Sequence, residues 1–332
     1  MTELRIDTDA IRSNTEVVAA LLRRHGLDLV GVTKGCLGEP RVAKAMMEGG
    51  ASALADTRDP NLRRLRTALP GVELHRIHLP SLAEPFEPGD ITYVSSSAGA
   101  EAVAALGGSR RPRRVMVQVE TGDEREGAPL ELLPDLAMAI VADSRLELTG
   151  IATNYACFRG EPAGIRGSVA AVAQAAAALR AAGLLTPRVS GGNSSVLWLL
   201  AQGETLPSQV TELRCGEALL LGQDALFYRA LPGCRTDACV LRAEVLEEYT
   251  RPAPDGGARR LVLGIGRQDL ASGRVKFLRP GLEEIGRSAD YLVAEATAEF
   301  EGAFVGETLE MIPAYEALVA AWTSPYVELR LL

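Results

Sequence analysis

The chain has 332 residues, enough for one large domain and a smaller one, and its 47% hydrophobic and 23% charged content is that of an ordinary globular protein. The net charge is −8 with the basic residues scattered, which excludes the basic stripe of a nucleic-acid binder. No apolar run is as long as a membrane-spanning helix, and residues 1–5 lack the basic segment and apolar stretch of an export signal, so a cytoplasmic protein is expected.

From the N-terminus, Thr8 is placed to cap a helix carrying Ile11, Val17, Val18, Leu21 and Leu22 and ending near Gly26. Leu29–Lys34 then reads as a short strand, apolar as strands buried on both faces are, that opens into the turn Gly35–Gly38. A helix over Pro40–Glu48, with proline in its first turn, leads to a strand at Ala51–Ala55 and a helix at Pro60–Ala68. Strands follow at Val72–Ile77 and Ile91–Val94, then an Ala-rich helix at Ala98–Leu106 and a strand at Arg114–Val119. A helix over Leu130–Val141, a strand over Leu146–Thr153 and a long helix over Gly164–Ala182 continue the alternation. Arg188–Val189, a short helix at Ser194–Ala201 and a strand at Thr211–Arg214 complete it.

Strict strand–helix alternation implies a parallel sheet, and eight such units close into a (β/α)8 TIM-type barrel, here expected over residues 7–230. An open doubly wound sheet competes, but the strand count favours the barrel, and no G-x-G-x-x-G follows the first strand. Beyond residue 230 strands are expected at Ala238–Glu247, Arg260–Ile265, Tyr291–Thr297, Phe300–Phe304, Thr308–Ile312 and Tyr326–Leu332, with a helix at Tyr315–Trp322. Gly- and Pro-rich turns such as 252–257 separate them, which predicts a mainly antiparallel β domain over 231–332, with residues 1–6 returning to pair onto it.

In such a barrel the chemistry gathers at the carboxyl ends of the strands. There the sequence places Lys34, the loop Glu120–Gly127 with Arg125 and Glu126, Asn154 and Tyr155, the loop Ser190–Ser195, and Arg214–Glu217. Taken singly these have plainer readings: a strand-end lysine in solvent, a helix cap, a surface arginine, a turn glycine. Together they supply an amine, an anion cradle at the position usual for phosphate, and two arginines. A phosphorylated aldehyde that forms an imine with lysine uses all of these parts, and pyridoxal phosphate is that cofactor. The three histidines lie in the first quarter without metal-pair spacing, and the five cysteines read as free thiols.

The chain resembles the fold-type III pyridoxal-phosphate enzymes, the alanine racemase superfamily, and within it the ornithine racemase branch. The resemblance rests on Val32–Lys34, Ala55–Arg58, Thr121–Gly127, Ser190–Ser195, Leu213–Glu217 with Leu221–Gly222, Gly264–Asp269 and Tyr315–Glu316, in the family's order. It implies that Lys34 carries the cofactor and acts as one base, and that Arg125 lies near the phenolic oxygen. Ser194, beside Asn193, would form the phosphate cradle with the Gly216 and Glu217 backbone and the Tyr315 hydroxyl. Asn154 would lie against the pyridine ring and Arg214 would face its nitrogen, where a permanent positive charge disfavours protonation.

One departure is evident. Alanine racemases have a second-face tyrosine base, from the partner subunit, where this chain has Gly266–Asp269. Asp269 and Cys36 are the candidates to replace it, Arg267 is a candidate for the substrate carboxylate, and Glu126, Glu217 or Asp269 for a distal ammonium. The resemblance thus implies a homodimer that racemises ornithine or a related basic amino acid, without metal, nucleic-acid or membrane partners. A decarboxylase or lyase reaction on the same scaffold, or a non-catalytic carrier of the cofactor, are the alternatives.

Overall fold

The computed structural model describes residues 2–106, 111–157, 160–252, 258–297, 299–302 and 304–332. Strand β1 (Glu3–Ile6) leads into helix α1 (Thr8–Arg24). The cap of α1 is Asp7 rather than the expected Thr8: its extended backbone brings Oδ1 to the Ala10 amide at 2.9 Å. Thr8 is already helical and donates instead to the Leu332 carbonyl at 2.8 Å.

Eight parallel strands close into a barrel: β2 (Asp28–Val32), β3 (Ala53–Asp56), β4 (Leu74–Arg76), β5 (Ile91–Val94), β6 (Arg113–Val119), β7 (Leu146–Thr153), β8 (Arg188–Ser190) and β9 (Glu212–Cys215). Closure is by β2 against β9, with Leu29 opposite Leu213 and Val30 opposite Arg214. Outside them run α2 (Pro40–Glu48), α3 (Asp59–Ala68), α4 (Ser97–Ala104), α5 (Leu133–Ala142), α6 (Pro162–Ala181), α7 (Leu197–Ala201) and α8 (Glu217–Leu221). Both faces of the barrel strands are covered, which is why stretches such as Leu29–Val32 and Val115–Val117 are apolar throughout, while other strands bury polar residues such as His75, Glu212 and Arg214. Val30, Val32, Ala53 and Ala55 form one apolar cluster of these strands, and Ile91, Tyr93, Met116 and Ala152 another.

The rest of the chain forms β10 (Cys239–Arg251), β11 (Ala258–Leu263), α9 (Arg267–Leu270), β12 (Val275–Phe277), β13 (Leu282–Arg287), β14 (Leu292–Ala296), β15 (Thr308–Pro313), α10 (Tyr315–Thr323) and β16 (Glu328–Leu331). The antiparallel sheet runs β12-β15-β10-β11-β14-β13. Strand β1 pairs antiparallel with β10 and parallel with β16. Residues 300–302 and 304 are not a strand, contrary to expectation: Phe300 is buried, its ring flanked by the Arg259 and Arg279 guanidinium groups at 5.3 and 5.9 Å. Strands β12 and β13 were not foreseen, because Val-Lys-Phe is short and Leu-Glu-Glu-Ile-Gly-Arg is too polar to alternate cleanly. Residues 253–257 of the expected turn lie outside the described residues.

One apolar core joins α1 and α2 of the barrel to Leu241, Leu263, Met311 and Trp322 of the sheet domain. That continuity carries α10 to the barrel mouth. Among the described residues no helix is long and apolar enough to cross a membrane.

Candidate active site

A cavity of about 800 Å³ opens at the carboxyl ends of the barrel strands. Lys34 reaches it from the turn after β2. The backbone before it is fixed: Thr33 Oγ1 donates to Asp56 Oδ2 at 2.6 Å, and Asp56 Oδ1 accepts from the Thr57 and Arg58 amides and from Asn61. Beside Lys34, Gly35 lets the sheet domain close in, since a Cβ there would stand 3.0 Å from the Tyr315 ring. Burial raises the pKa of the Tyr315 hydroxyl, and Glu217 adds to this.

Strand β6 contributes Gln118, 4% exposed, whose Nε2 has no hydrogen-bond partner. In the loop that follows, the Glu120 carboxylate gathers the Glu124 and Arg125 amides at 3.1 and 3.3 Å. This presents Arg125, whose Nε lies 3.2 Å from Asp123 and 2.8 Å from Glu126. Burial raises the pKa of the Glu126 carboxyl, against the pull of Arg125.

Strand β9 contributes Arg214, 5% exposed, with its guanidinium over the Tyr93 ring at 4.9 Å. Its Nη2 donates to the Thr153 carbonyl at 2.7 Å, while Nη1 is buried with no partner. Gly216 caps α8, and the Ala218 amide donates to Ser194 Oγ at 3.3 Å, which joins the turns after β8 and β9. Glu217 lines the cavity with Oε1 buried and unpartnered. Burial pushes its carboxyl up to about 7; Gln223 and Lys34 oppose the shift, and Asp224 and Glu316 add to it.

Between these walls the Asn193 amide nitrogen donates to Asn154 Oδ1 at 3.0 Å and to the Tyr155 carbonyl at 2.8 Å. Asn154 in turn donates to Cys157 Sγ at 3.0 Å. Among the described residues no cluster of three or more His, Cys, Asp or Glu side chains could hold a metal ion.

The structure therefore brings Lys34, Arg125, Glu126, Asn154, Asn193, Ser194, Arg214, Gly216, Glu217 and Tyr315 to one cavity. Within the single chain it does not bring Asp269 or Arg267 there. Asp269 is buried at α9, accepting from the Gly266 amide at 3.2 Å and from Ser324 Oγ at 2.7 Å, so both carboxylate oxygens serve local structure. Arg267 is exposed on the same short helix. Cys36 is fully buried, donates to the Thr33 carbonyl, and has its pKa driven up by burial, so it is no base at neutral pH. The sequence reading missed Gln118, Cys157, Tyr228 and Arg274 in this cavity. Gln118 was visible as the polar break in the Val-Met-Val-Gln-Val run, and Cys157 as a thiol three residues beyond Asn154. Tyr228 and Arg274, 5.7 Å apart from ring to guanidinium, meet only because two distant segments fold together.

The family described as alanine racemase, N-terminal domain, matches residues 6–224. The lysine racemase of Thermotoga maritima is 29% identical, over 98% of this chain and 97% of its own length. The ornithine racemase of Acetoanaerobium sticklandii is 27% identical, over 99% of each chain. Among solved structures, an alanine racemase from Bartonella henselae with covalently bound pyridoxal phosphate superposes with a TM-score of 0.72 at 18% identity, over 100% of this chain and 99% of that one.

Proposed function

This chain belongs to the family of the alanine racemase N-terminal domain, and from that premise we propose that it is a pyridoxal-phosphate-dependent racemase of ornithine or a related basic amino acid, working in the cytoplasm as a homodimer. The observation that carries the cofactor is Arg214: a buried guanidinium with an unpartnered Nη1 in the cavity that Lys34 enters. Leaving such a donor unmatched is costly, and the pyridine nitrogen is an acceptor of the right kind. The residues fit the group. Lys34 would hold its aldehyde carbon, and Ser194 Oγ, the Gly216 and Glu217 amides and the Tyr315 hydroxyl its phosphate. Arg125 would neighbour its phenolic oxygen and Asn154 its ring face.

When bound, the cofactor supplies an electron sink that eases removal of the α-proton. Lys34, as one base, then takes or returns that proton on its own face of the substrate. The permanent charge of Arg214 would disfavour a proton on the ring nitrogen and so limit the sink the cofactor would supply. Glu217, with Glu316 and Asp224 close enough to shift its titration, supplies counter-charge for a distal ammonium. The lysine and ornithine racemases among the relatives support that substrate class, and five free cysteines suit a reducing compartment.

The test is borohydride reduction followed by peptide mapping, with a chiral assay of ornithine, lysine and alanine. The pyridoxyl group is expected on Lys34, and Lys34→Ala is expected to lose both the imine absorbance and racemisation. A label on another lysine, or turnover of alanine with none of ornithine or lysine, would contradict the proposal.

A further inference from the structure

We infer that Cys157 is the second acid–base group of this site, exchanging the α-proton on the substrate face opposite Lys34. The inference rests on the racemase reading above and assigns that base within this chain's own cavity, which neither its Asp269 nor its Cys36 lines.

The first support is the direction of a hydrogen-bond chain. A backbone N–H can only donate, and that of Ser195 donates to Asn193 Oδ1 at 2.8 Å. The other amide atom of Asn193 is therefore nitrogen, and it donates to Asn154 Oδ1 at 3.0 Å. The remaining amide atom of Asn154 is then nitrogen as well, and it donates to Cys157 Sγ at 3.0 Å, with Asn193 Nδ2 also near at 3.6 Å. The sulfur is thus fixed as an acceptor.

The second support is position. Cys157 follows β7 and Lys34 follows β2, and only β8 and β9 separate these strands on the shorter way round the eight-stranded ring. The two groups line one cavity from walls three strand positions apart in a ring of eight. The third is independent of the thiol. Arg214 and Gln118, 5% and 4% exposed, both line the same cavity and each carries a buried nitrogen with no protein partner, which is the mark of a ligand held between those walls. Tyr228 also lines the cavity, but burial raises its hydroxyl pKa, which keeps it protonated at neutral pH and so unable to take a proton there.

In one direction the Cys157 thiolate takes the α-hydrogen as a proton and the C–H bonding pair stays with the substrate. The Lys34 ammonium gives a proton to the opposite face. Thiol and neutral amine result, and conversion of the other enantiomer restores thiolate and ammonium, with no oxidant or reductant needed.

The experiment uses cofactor-loaded Cys157→Ser and Cys157→Ala, checked for unchanged imine absorbance. In deuterated water, α-exchange from one ornithine enantiomer should fall by roughly 10²–10⁴-fold while exchange from the other persists through Lys34. A second readout does not depend on turnover. Iodoacetamide should alkylate Cys157, the exposed thiol of the five, ornithine should protect it, and Asn154→Ala should slow its alkylation. Full racemisation by Cys157→Ala, or alkylation indifferent to Asn154→Ala, would overturn this inference alone. Absence of α-exchange from every amino acid in the unaltered enzyme would overturn the racemase reading with it.

Discussion

Glu217 shows how one side chain's surroundings set its chemistry. Its backbone amide starts α8, while its carboxyl lies buried in the cavity with Oε1 unpartnered and titrates near about 7. Because its folded pKa lies above the unfolded value, the native state binds the extra proton between those two values, and stability from this group falls as pH rises through about 7. Binding of a distal ammonium runs the other way, since it needs the carboxylate. Glu217→Gln should therefore lower kcat/KM for ornithine by roughly 10- to 150-fold above neutrality, the worth of a hydrogen bond to a charged group. It should leave alanine less affected and flatten the pH dependence of ornithine KM. Equal losses on ornithine and alanine would make Glu217 a cofactor-cradle residue only.

At the level of elements, the barrel is closed at its other end by charge. Glu73, just before β4, meets His75 Nε2 at 3.0 Å, Arg114 Nη1 of β6 at 2.7 Å and Arg188 Nη1 of β8 at 2.9 Å, so one carboxylate ties three strands. The hydrogen bond from His75 foremost, then the hydrogen bond from Arg114 and the charge of Arg188, hold its pKa well below the usual carboxylate range against the cost of burial. A depressed folded pKa gives stability that is present at neutral pH and lost as pH falls below the unfolded value near about 4.3. Partial exposure screens these pairs, so Glu73→Gln should cost about 1–2 kcal/mol at pH 7. The gap from wild type should shrink as the medium is acidified below pH 4, read from thermal midpoints across pH. A gap that stays constant would mean a packing role instead.

For the whole molecule, the cavity mouth and one face of the sheet domain remain uncovered in the single chain. Leu246, Tyr249, Ile285 and Tyr291 are 44%, 39%, 45% and 48% exposed and line a groove across that face. Four such side chains together are more apolar surface than isolated exposure explains. A second copy would cover them, and water-free closure of the mouth suits chemistry at an α-carbon. Sedimentation at micromolar concentration should give twice the chain mass, and Ile285→Glu with Tyr291→Glu should shift it toward monomer with loss of activity. Fully active monomer would rule this out.

The sequence by itself determined the barrel and most of its mouth. Strand and helix periodicity are local properties, and in a closed parallel barrel every strand end points to the same rim. Locating eight strands therefore also located Lys34, Arg125, Asn154, Ser194, Arg214 and Glu217. The tertiary structure alone decided what crosses between distant segments. It set Arg274 beside Tyr228, brought Tyr315 against Gly35, and turned Asp269 inward to Ser324. It also decided which amide nitrogen faces the Cys157 sulfur. Those facts depend on directions of side chains fixed by packing among residues far apart in the chain, and no spacing along the sequence encodes a direction in space.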